Sequence, residues 1–349
     1  MSRQADILSV RGMSFQRRQW ADHQFGAVNL LKPDIDELEQ PAQLPGGQVL
    51  FLDGEIYNIA ELARASSRAG SDRGGLVAQC LELYASDPLG TARRLNGSFN
   101  LAYYDPRRHL LHLVSDRLGS RPLYYQERHG TLYFALEQKA ILAAHGDAPA
   151  FDDLALLQLA AFGHQLGERT MFAGISVLPP GSLLTAGANG VTITSYWRAA
   201  YHRGHKGGPE ASAELARRFI AATQRRTVRR RAPLGIFLSG GLDSRFVAGA
   251  LATTHAPVSA FTFGEEANRD VRFARQIASR LGFSHQVYAH RGHDFTATLP
   301  QFVWRTEGTM SFPEGLSIEF HRHIWPRARV IFNGHLGDAL SGGHLLPEL

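Results

Sequence analysis

In the first half of the chain the apolar residues come in short runs, each closed by a turn signal. Gln48–Leu52 precedes Asp53-Gly54, Ser98–Tyr104 precedes Asp105-Pro106, His109–Val114 precedes Asp116-Arg117, and Thr131–Ala135 follows Gly130. Runs of this length bounded by Gly, Pro and Asp predict strands. Between them, residues 75–84 and 138–144 carry helical spacing. Hairpins interleaved with helices predict a layered α+β domain. From about Ala211 the pattern changes. A helix with Leu215, Phe219 and Ile220 precedes strand Leu234–Leu238, followed by strand Val258–Phe263, helix Val271–Leu281, strand His285–Tyr288 and a late strand Val330–Phe332. Strand–helix alternation predicts a parallel α/β sheet with ligands at the carboxyl ends of its strands. Residues 186–210, rich in Gly and containing Pro209, read as the linker.

The candidate chemistry lies where the strand Leu234–Leu238 runs without a break into Ser239-Gly240-Gly241-Leu242-Asp243-Ser244. Phe246–Leu251, apolar and small, then suit a helix. A buried strand feeding a glycine turn at a helix start gathers free N–H groups and the positive helix end, which makes an anion site. Gly240 and Gly241 let the backbone approach a phosphate closely, and the Ser239 and Ser244 hydroxyls add donors. Asp243 beside bound phosphates is repulsive unless Mg²⁺ lies between them. The loop therefore reads as a site for a metal-bound polyphosphate. No Gly-Lys-Ser/Thr ends it, as a Walker loop requires. The string instead resembles the PP-loop of the ATP pyrophosphatases. That resemblance implies cleavage of ATP between its α- and β-phosphates, giving an adenylate and pyrophosphate.

Composition narrows the class without changing it. With 349 residues, 44% hydrophobic and 20% charged, the chain has the make-up of a soluble globular protein of about two domains. No apolar run approaches the ~18 residues of a membrane span, and Met1-Ser2-Arg3-Gln4-Ala5-Asp6 lacks a signal-peptide pattern, so no membrane partner is expected. The single cysteine excludes an intrachain disulfide and fits the reducing cytoplasm, the expected location. The net charge of +5 is mildly basic, and the conspicuous basic run is Arg225-Arg226 and Arg229-Arg230-Arg231. No aromatic residues interleave with these arginines, so they read as a solvated helix end facing the nucleotide site and no nucleic acid is expected.

Further strings carry a family resemblance: Asp53-Gly54-Glu55-Ile56-Tyr57-Asn58, Leu95-Asn96-Gly97-Ser98-Phe99, Asp116 to Tyr125, Leu178-Pro179-Pro180-Gly181 and Tyr196-Trp197. Phe261-Thr262-Phe263-Gly264 and Gly334-His335-Leu336-Gly337-Asp338 follow the loop. In order and content they resemble the asparagine synthetase family. The resemblance implies an Ntn-hydrolase-like αββα domain over residues 1–188, of the glutamine amidotransferase type. A PP-loop domain of the adenine nucleotide alpha hydrolase-like fold would then occupy 205–349. It implies an ATP-dependent amide ligase using ATP and Mg²⁺. A small-molecule or peptide carboxylate would be activated as an acyl-adenylate with release of pyrophosphate, and an amine or ammonia would displace AMP. Asp243 and Asp338 match the family aspartates that hold Mg²⁺ against the phosphates and are the expected catalytic pair. Leu238, Phe263, Asn333 and Gly334 fall where the family contacts adenosine, beside Ser239, Gly240, Gly241 and Ser244 of the loop. The charged turn at Asp116–Pro122 is expected to shape the end of the sheet, its Asp and Arg pairing locally.

The sequence departs from the family in both halves. The family nucleophile is a cysteine exposed once Met1 is removed, but Ser2 stands there and Cys80 lies in a helical run. Asp53 replaces the asparagine whose amide helps to form the oxyanion hole, and a carboxylate there would repel the developing charge. With Gly54, and with Asp72 matching the acid that holds the glutamine α-amine, Asp53 marks a vestigial glutamine site in a domain expected to be inactive. Downstream, His335 and Ala339 stand where the commoner pattern has glutamates, which argues against ordinary aspartate as substrate. His335 is either a substrate or phosphate contact or a structural histidine. No lysine follows Lys206, and the sequence ends soon after Asp338. The family's pyrophosphate-neutralising lysine thus has no match, and Arg245, Arg269 and Arg305 are the remaining cations. The expectation is a truncated ligase or one completed by another polypeptide, with a homodimer also open. Two alternatives remain: a β-lactam synthetase or lasso-peptide macrocyclase-like enzyme whose amine lies on the substrate, and a non-catalytic homologue that holds ATP or a partner.

Overall fold

A computed structural model describes residues 16–22, 24–31, 40–65, 75–146, 148–200, 208–227, 233–289, 295–309 and 320–335. The chain forms two compact units, Met1–Tyr201 with Glu307–Met310 and His202–Thr306 with Ser311–Leu349.

The first unit begins with a hairpin, β1 (Gln16–Ala21) and β2 (Gly26–Leu31), followed by β3 (Ala42–Gln43) and β4 (Val49–Ile56). Three helices come next: α1 (Ile59–Ala65), α2 (Leu76–Ser86) and α3 (Pro88–Arg94). Then β5 (Gly97–Asp105), β6 (Leu110–Ser115), β7 (Tyr124–Arg128) and β8 (Thr131–Ala135) lead to α4 (Gln138–His145) and α5 (Asp153–Phe162). The unit closes with β9 (Ser176–Val177), β10 (Ser182–Gly187) and β11 (Gly190–Ser195). A six-stranded antiparallel sheet runs β11-β10-β6-β5-β4-β3, and a three-stranded one runs β8-β7-β9.

The apolar run of β4 is continuous because both faces of the large sheet are covered. Leu50, Leu52, Leu101 and Tyr103 face Val77, Cys80, Leu81 and Tyr84 of α2, while Val49, Phe51, Ala102 and Tyr104 face Leu123 and Leu178 with Tyr125, Leu132 and Phe134. On the far side of the small sheet, Tyr124 and Ile175 pack on Ile141 of α4. The layers are thus helix, sheet, sheet, helix, the αββα order that the family resemblance implies. Cys80 is fully buried, and desolvation pushes its thiol up to about 12, so it is an inert core residue as expected.

Two expectations are corrected here. The segment read as linker holds a strand: Gly187-Ala188-Asn189-Gly190 is a hairpin turn, and β11 pairs with β10 from Ser182↔Ser195 to Gly187↔Gly190. Glycine and asparagine signal a tight hairpin as readily as a linker, and composition alone does not separate them. In the Asp116–Pro122 turn, Asp116 and Arg117 do not pair. The buried Asp116 accepts N–H groups from Phe99, Leu118 and Ser120, while Arg117 donates to Arg93 O at 2.7 Å.

His112 of β6 is buried against Tyr84, with Tyr84 Oη 3.1 Å from its Nδ1. Burial lowers its pKa from 6.5 to about 4, only partly offset by Asp105. The folded unit therefore favours neutral imidazole. This stabilisation is complete above pH 6.5 and is lost as the pH falls toward 4. Urea unfolding at pH 7 and pH 5 is expected to show a loss of about 1–2 kcal/mol over that interval, within a ceiling of about 3 kcal/mol. His112→Gln should flatten this acid limb, and a wild-type curve already flat between the two pH values would refute the assignment.

The second unit starts with α6 (Pro209–Thr227) and builds a four-stranded parallel sheet in the order β14-β13-β12-β15. Its strands are β12 (Leu234–Phe237), β13 (Val258–Phe263), β14 (Ser284–Tyr288) and β15 (Val330–Phe332). The helices α7 (Leu242–Ala252) and α8 (Arg269–Leu281) cross between strands, and α9 (Phe295–Thr306) and α10 (His321–Ile324) follow. On one sheet face Leu234, Ile236, Leu238 and Ala260 pack on Ala248 and Leu251 of α7 and Ala274 and Ala278 of α8. The other face carries Phe237, Phe261, Phe263 and Tyr288 against Phe320 and Ile324. Among the described residues no helix is long and apolar enough to cross a membrane.

Candidate functional site

All strands of the second unit point the same way, so the loops after β12, β13 and β15 share one edge. β12 ends at Phe237, and α7 starts at Leu242 with Gly241 as an N-cap that contributes no side-chain bond. The backbone N–H groups of Leu242, Asp243 and Ser244 have no acceptor within their own helix. The turn that presents them is tied by serine hydroxyls. Ser244 is buried, and its Oγ accepts from Ser239 N at 3.1 Å and lies 2.9 Å from Ser239 Oγ. Ser239 Oγ in turn accepts from Gly241 N at 3.2 Å. The two hydroxyls thus hold the turn shut from inside. The half-buried carboxylate of Asp243, in the first turn of α7, has no hydrogen bond or ion pair with a described residue. Its charge sits at the positive helix end.

The glycines show what approaches this turn. A methyl built on Gly334, just past β15, would lie 2.6 Å from Ser244 N and 2.9 Å from Asp243 Cβ. β15 is the parallel neighbour of β12, with Leu234↔Val330 and Ile236↔Phe332 in register, so the late strand delivers its carboxyl end directly onto the start of α7. A methyl on Gly240 would lie 2.5 Å from Asp270 Oδ1. Asp270 opens α8 after the Asn268 N-cap, which places a second carboxylate against the turn.

The predicted adenosine contacts divide between the two sheet faces. Leu238 is 2% exposed on the helix face; its N–H donates to Phe261 O at 2.9 Å, and its carbonyl accepts from Thr262 Oγ1 at 2.6 Å. On the opposite face Phe263 meets Phe237 edge-on and stacks with Tyr288, ring centroids 5.3 and 6.1 Å away. Asn333 and His335 are exposed, and Asn333 Oδ1 accepts from His335 N at 3.1 Å. Of the three candidate cations, Arg245 is at the turn, donating to Gly241 O at 3.2 Å. Arg269 covers the Phe273 ring at 5.3 Å, and Arg305 lies in α9. Asp338 and Ala339 lie outside the described residues, as do Asp72, Ser2 and Arg229–Arg231.

In the first unit, Asp53 lies within β4 and is engaged by a guanidinium. Arg121 Nε and Nη2 donate to its two oxygens at 2.6 and 2.8 Å. Gly54, with φ +93°, has no room for a side chain: a methyl there would be 2.2 Å from Ser98 O and 2.8 Å from Arg121 Cδ. The Asn100 amide donates to Arg121 O at 3.3 Å.

Residues 4–197 match the glutamine amidotransferase domain family and residues 214–348 match asparagine synthase. The chain belongs to the asparagine synthetase family. Glutamine-hydrolysing asparagine synthetase 1 of Bacillus subtilis is 27% identical over 331 residues, covering 92% of this chain and 51% of its own length. Asparagine synthetase 3 of the same bacterium is 30% identical over 372 residues, covering 99% and 60%. Carboxyethyl-arginine beta-lactam-synthase of Streptomyces clavuligerus is 28% identical over 260 residues, covering 73% and 47%. The chain spans about half the length of the curated relatives it matches.

This asparagine synthetase family member therefore has an amidotransferase-type αββα unit and a parallel-sheet unit of the kind in which the family uses ATP. Its turn at Ser239–Ser244, held in shape by the two serine hydroxyls, presents open helix-end N–H groups suited to phosphate and the Asp243 carboxylate suited to a hard divalent cation. Among the described residues no group of three or more His, Cys, Asp or Glu could hold a metal without other ligands. Sequence reasoning missed Asp270 and Arg121. Asp270 had a usable signal, an acidic residue in the first turn of the helix that follows a parallel strand. Arg121 had none, because its partner is 68 residues away.

Proposed function

We propose that this chain is an asparagine synthetase-like, ATP-dependent amide ligase that activates a carboxylate as an acyl-adenylate. The observation that carries this reading is the meeting of the carboxyl end of β15 with the first turn of α7 at Gly334 and Asp243. It supports convergence of Asp243 with Asp338, four positions beyond Gly334, on one Mg²⁺. That ion would neutralise phosphate charge and orient the nucleotide. The residues of the chain supply the rest. The N–H groups of Leu242 and Asp243 face the phosphates, Ser239 and Ser244 keep the turn in shape, and Arg245 stands beside it. A substrate carboxylate attacks the α-phosphorus, the bond to the β-phosphate oxygen breaks, and pyrophosphate leaves with that electron pair. An amine then displaces AMP. Catalysis of this kind rests on positioning and charge. A reducing compartment such as the cytoplasm suits the single buried thiol.

The Asp53–Arg121 pair favours an amine that does not come from glutamine, because the position that should donate to an oxyanion holds a neutralised carboxylate instead. The amine is then free ammonia or a group on the substrate itself, as fits the similarity to the beta-lactam-synthase. With amide-¹⁵N glutamine and ATP, the product is expected to carry no label, and Asp53→Asn is expected not to restore transfer. Labelled product from the wild-type chain would refute an inactive first unit. Pyrophosphate–ATP exchange across a panel of carboxylates tests the ligase itself. Absence of exchange, with ATP retained equally by Asp243→Ala, would favour a non-catalytic homologue.

A further inference from the structure

The turn at Ser239 is held by a hydrogen-bond chain that crosses three strands. Thr262 of β13 is 3% exposed, and its Oγ1 lies 2.6 Å from Leu238 O and 2.8 Å from His285 Nε2 of β14. A carbonyl oxygen only accepts, so the one hydroxyl proton of Thr262 points at Leu238. The contact with His285 must then be filled by a proton on Nε2. The imidazole is thereby fixed with Nε2 protonated, donating to Thr262, which donates to Leu238. The acceptor carbonyl belongs to the peptide unit joining Leu238 to Ser239, and the N–H of that same unit donates to Ser244 Oγ at 3.1 Å. One peptide plane is clamped on both sides, by β13 at its oxygen and by α7 at its hydrogen. This plane is the point where the strand ends and the phosphate-facing turn begins. The other charged groups around His285 are Arg275 of α8 and Glu266, which pair with each other at 2.5 Å and leave the imidazole to Thr262.

We infer that His285 is a positioning residue for the nucleotide turn, acting through Thr262 on the Leu238–Ser239 peptide. The inference rests on the nucleotide-binding reading of that turn, but the hydrogen-bond chain can be tested without nucleotide. In the full chain, His285→Met and Thr262→Val remove a donor at each step, whereas His285→Gln keeps a donor near the Nε2 position and Thr262→Ser keeps the hydroxyl. With Mg²⁺ and the non-cleavable analogue α,β-methylene-ATP, calorimetry is expected to show about tenfold weaker binding for the first two. The second two should stay within about twofold of wild type, a rescue that loss of packing would not produce. Hydrogen exchange should show faster exchange at the Ser239 amide in His285→Met than in His285→Gln. ¹⁵N-histidine spectra of the wild-type chain should show the Nε2-protonated form at His285. The inference is overturned by an Nδ1-protonated imidazole, or by a folded His285→Met that binds and exchanges as wild type does. If wild type fails to bind the analogue while the Ser239 amide still loosens in His285→Met, the chain of hydrogen bonds stands and the nucleotide reading falls.

Discussion

Replacing Asp243 by asparagine is expected to lower pyrophosphate–ATP exchange by at least about a hundredfold, the scale on which removing one electrostatic group at a charged transition state acts. The change preserves shape and removes only charge. Asp243 sits in the first turn of α7, where an acidic side chain stabilises a helix by about 0.3–1 kcal/mol. Thermal unfolding should therefore move by no more than that amount implies, and lost exchange cannot be ascribed to a lost fold. The serine ties of the turn do not involve the Asp243 carboxylate, so they should survive. Exchange at the wild-type level in this variant would show that Asp243 does not face the reacting phosphates.

The second large effect is steric. Gly334→Ala would drive a methyl to within 2.6 Å of Ser244 N and 2.8 Å of the Asp243 carbonyl carbon. Both neighbours are backbone, so either the first turn of α7 or the end of β15 must move. Overpacking of this kind costs about 1–3 kcal/mol. The displacement falls at the turn itself, so loss of nucleotide binding is expected together with lower stability of the second unit. Gly249→Ala is the matched control: it lies in α7 with nothing within 4 Å, and there alanine should stabilise by about 1 kcal/mol through helix propensity. Calorimetric binding and thermal unfolding of both variants test the pair. A Gly334→Ala chain that binds nucleotide as wild type does would remove the main support for convergence of the two strand ends.

The strands that carry this site were legible because their apolar runs are short, β-branched or aromatic, and closed by glycine or aspartate. Leu234–Phe237, Val258–Phe263 and Val330–Phe332 were each expected within a residue or two. Elements with weaker marks were not. The helix Asp153–Phe162 buries only Ala155, so its apolar residues show no periodicity toward a core. The hairpin at 182–195 has a largely exposed outer strand, and its turn has the composition of a linker. Within the site, the pleat of the sheet sends the side chains of Leu238 and Phe263 to opposite faces.

By itself the sequence determined the order of the two units, the serine- and glycine-rich turn that carries Asp243, and the presence of Asp53 at the head of the run Asp53–Asn58. Those features are local: each lies within a few adjacent residues whose backbone freedom or side-chain chemistry allows one principal use. Only the tertiary structure decided what closes on them. It set Arg121 on Asp53, Gly334 on the start of α7, Asp270 behind Gly240, and His285 with Thr262 beneath Leu238. Such contacts join residues tens of positions apart, and their distances depend on strand order and register. A single sequence pattern does not encode strand order directly, because any parallel arrangement would bury the same apolar runs.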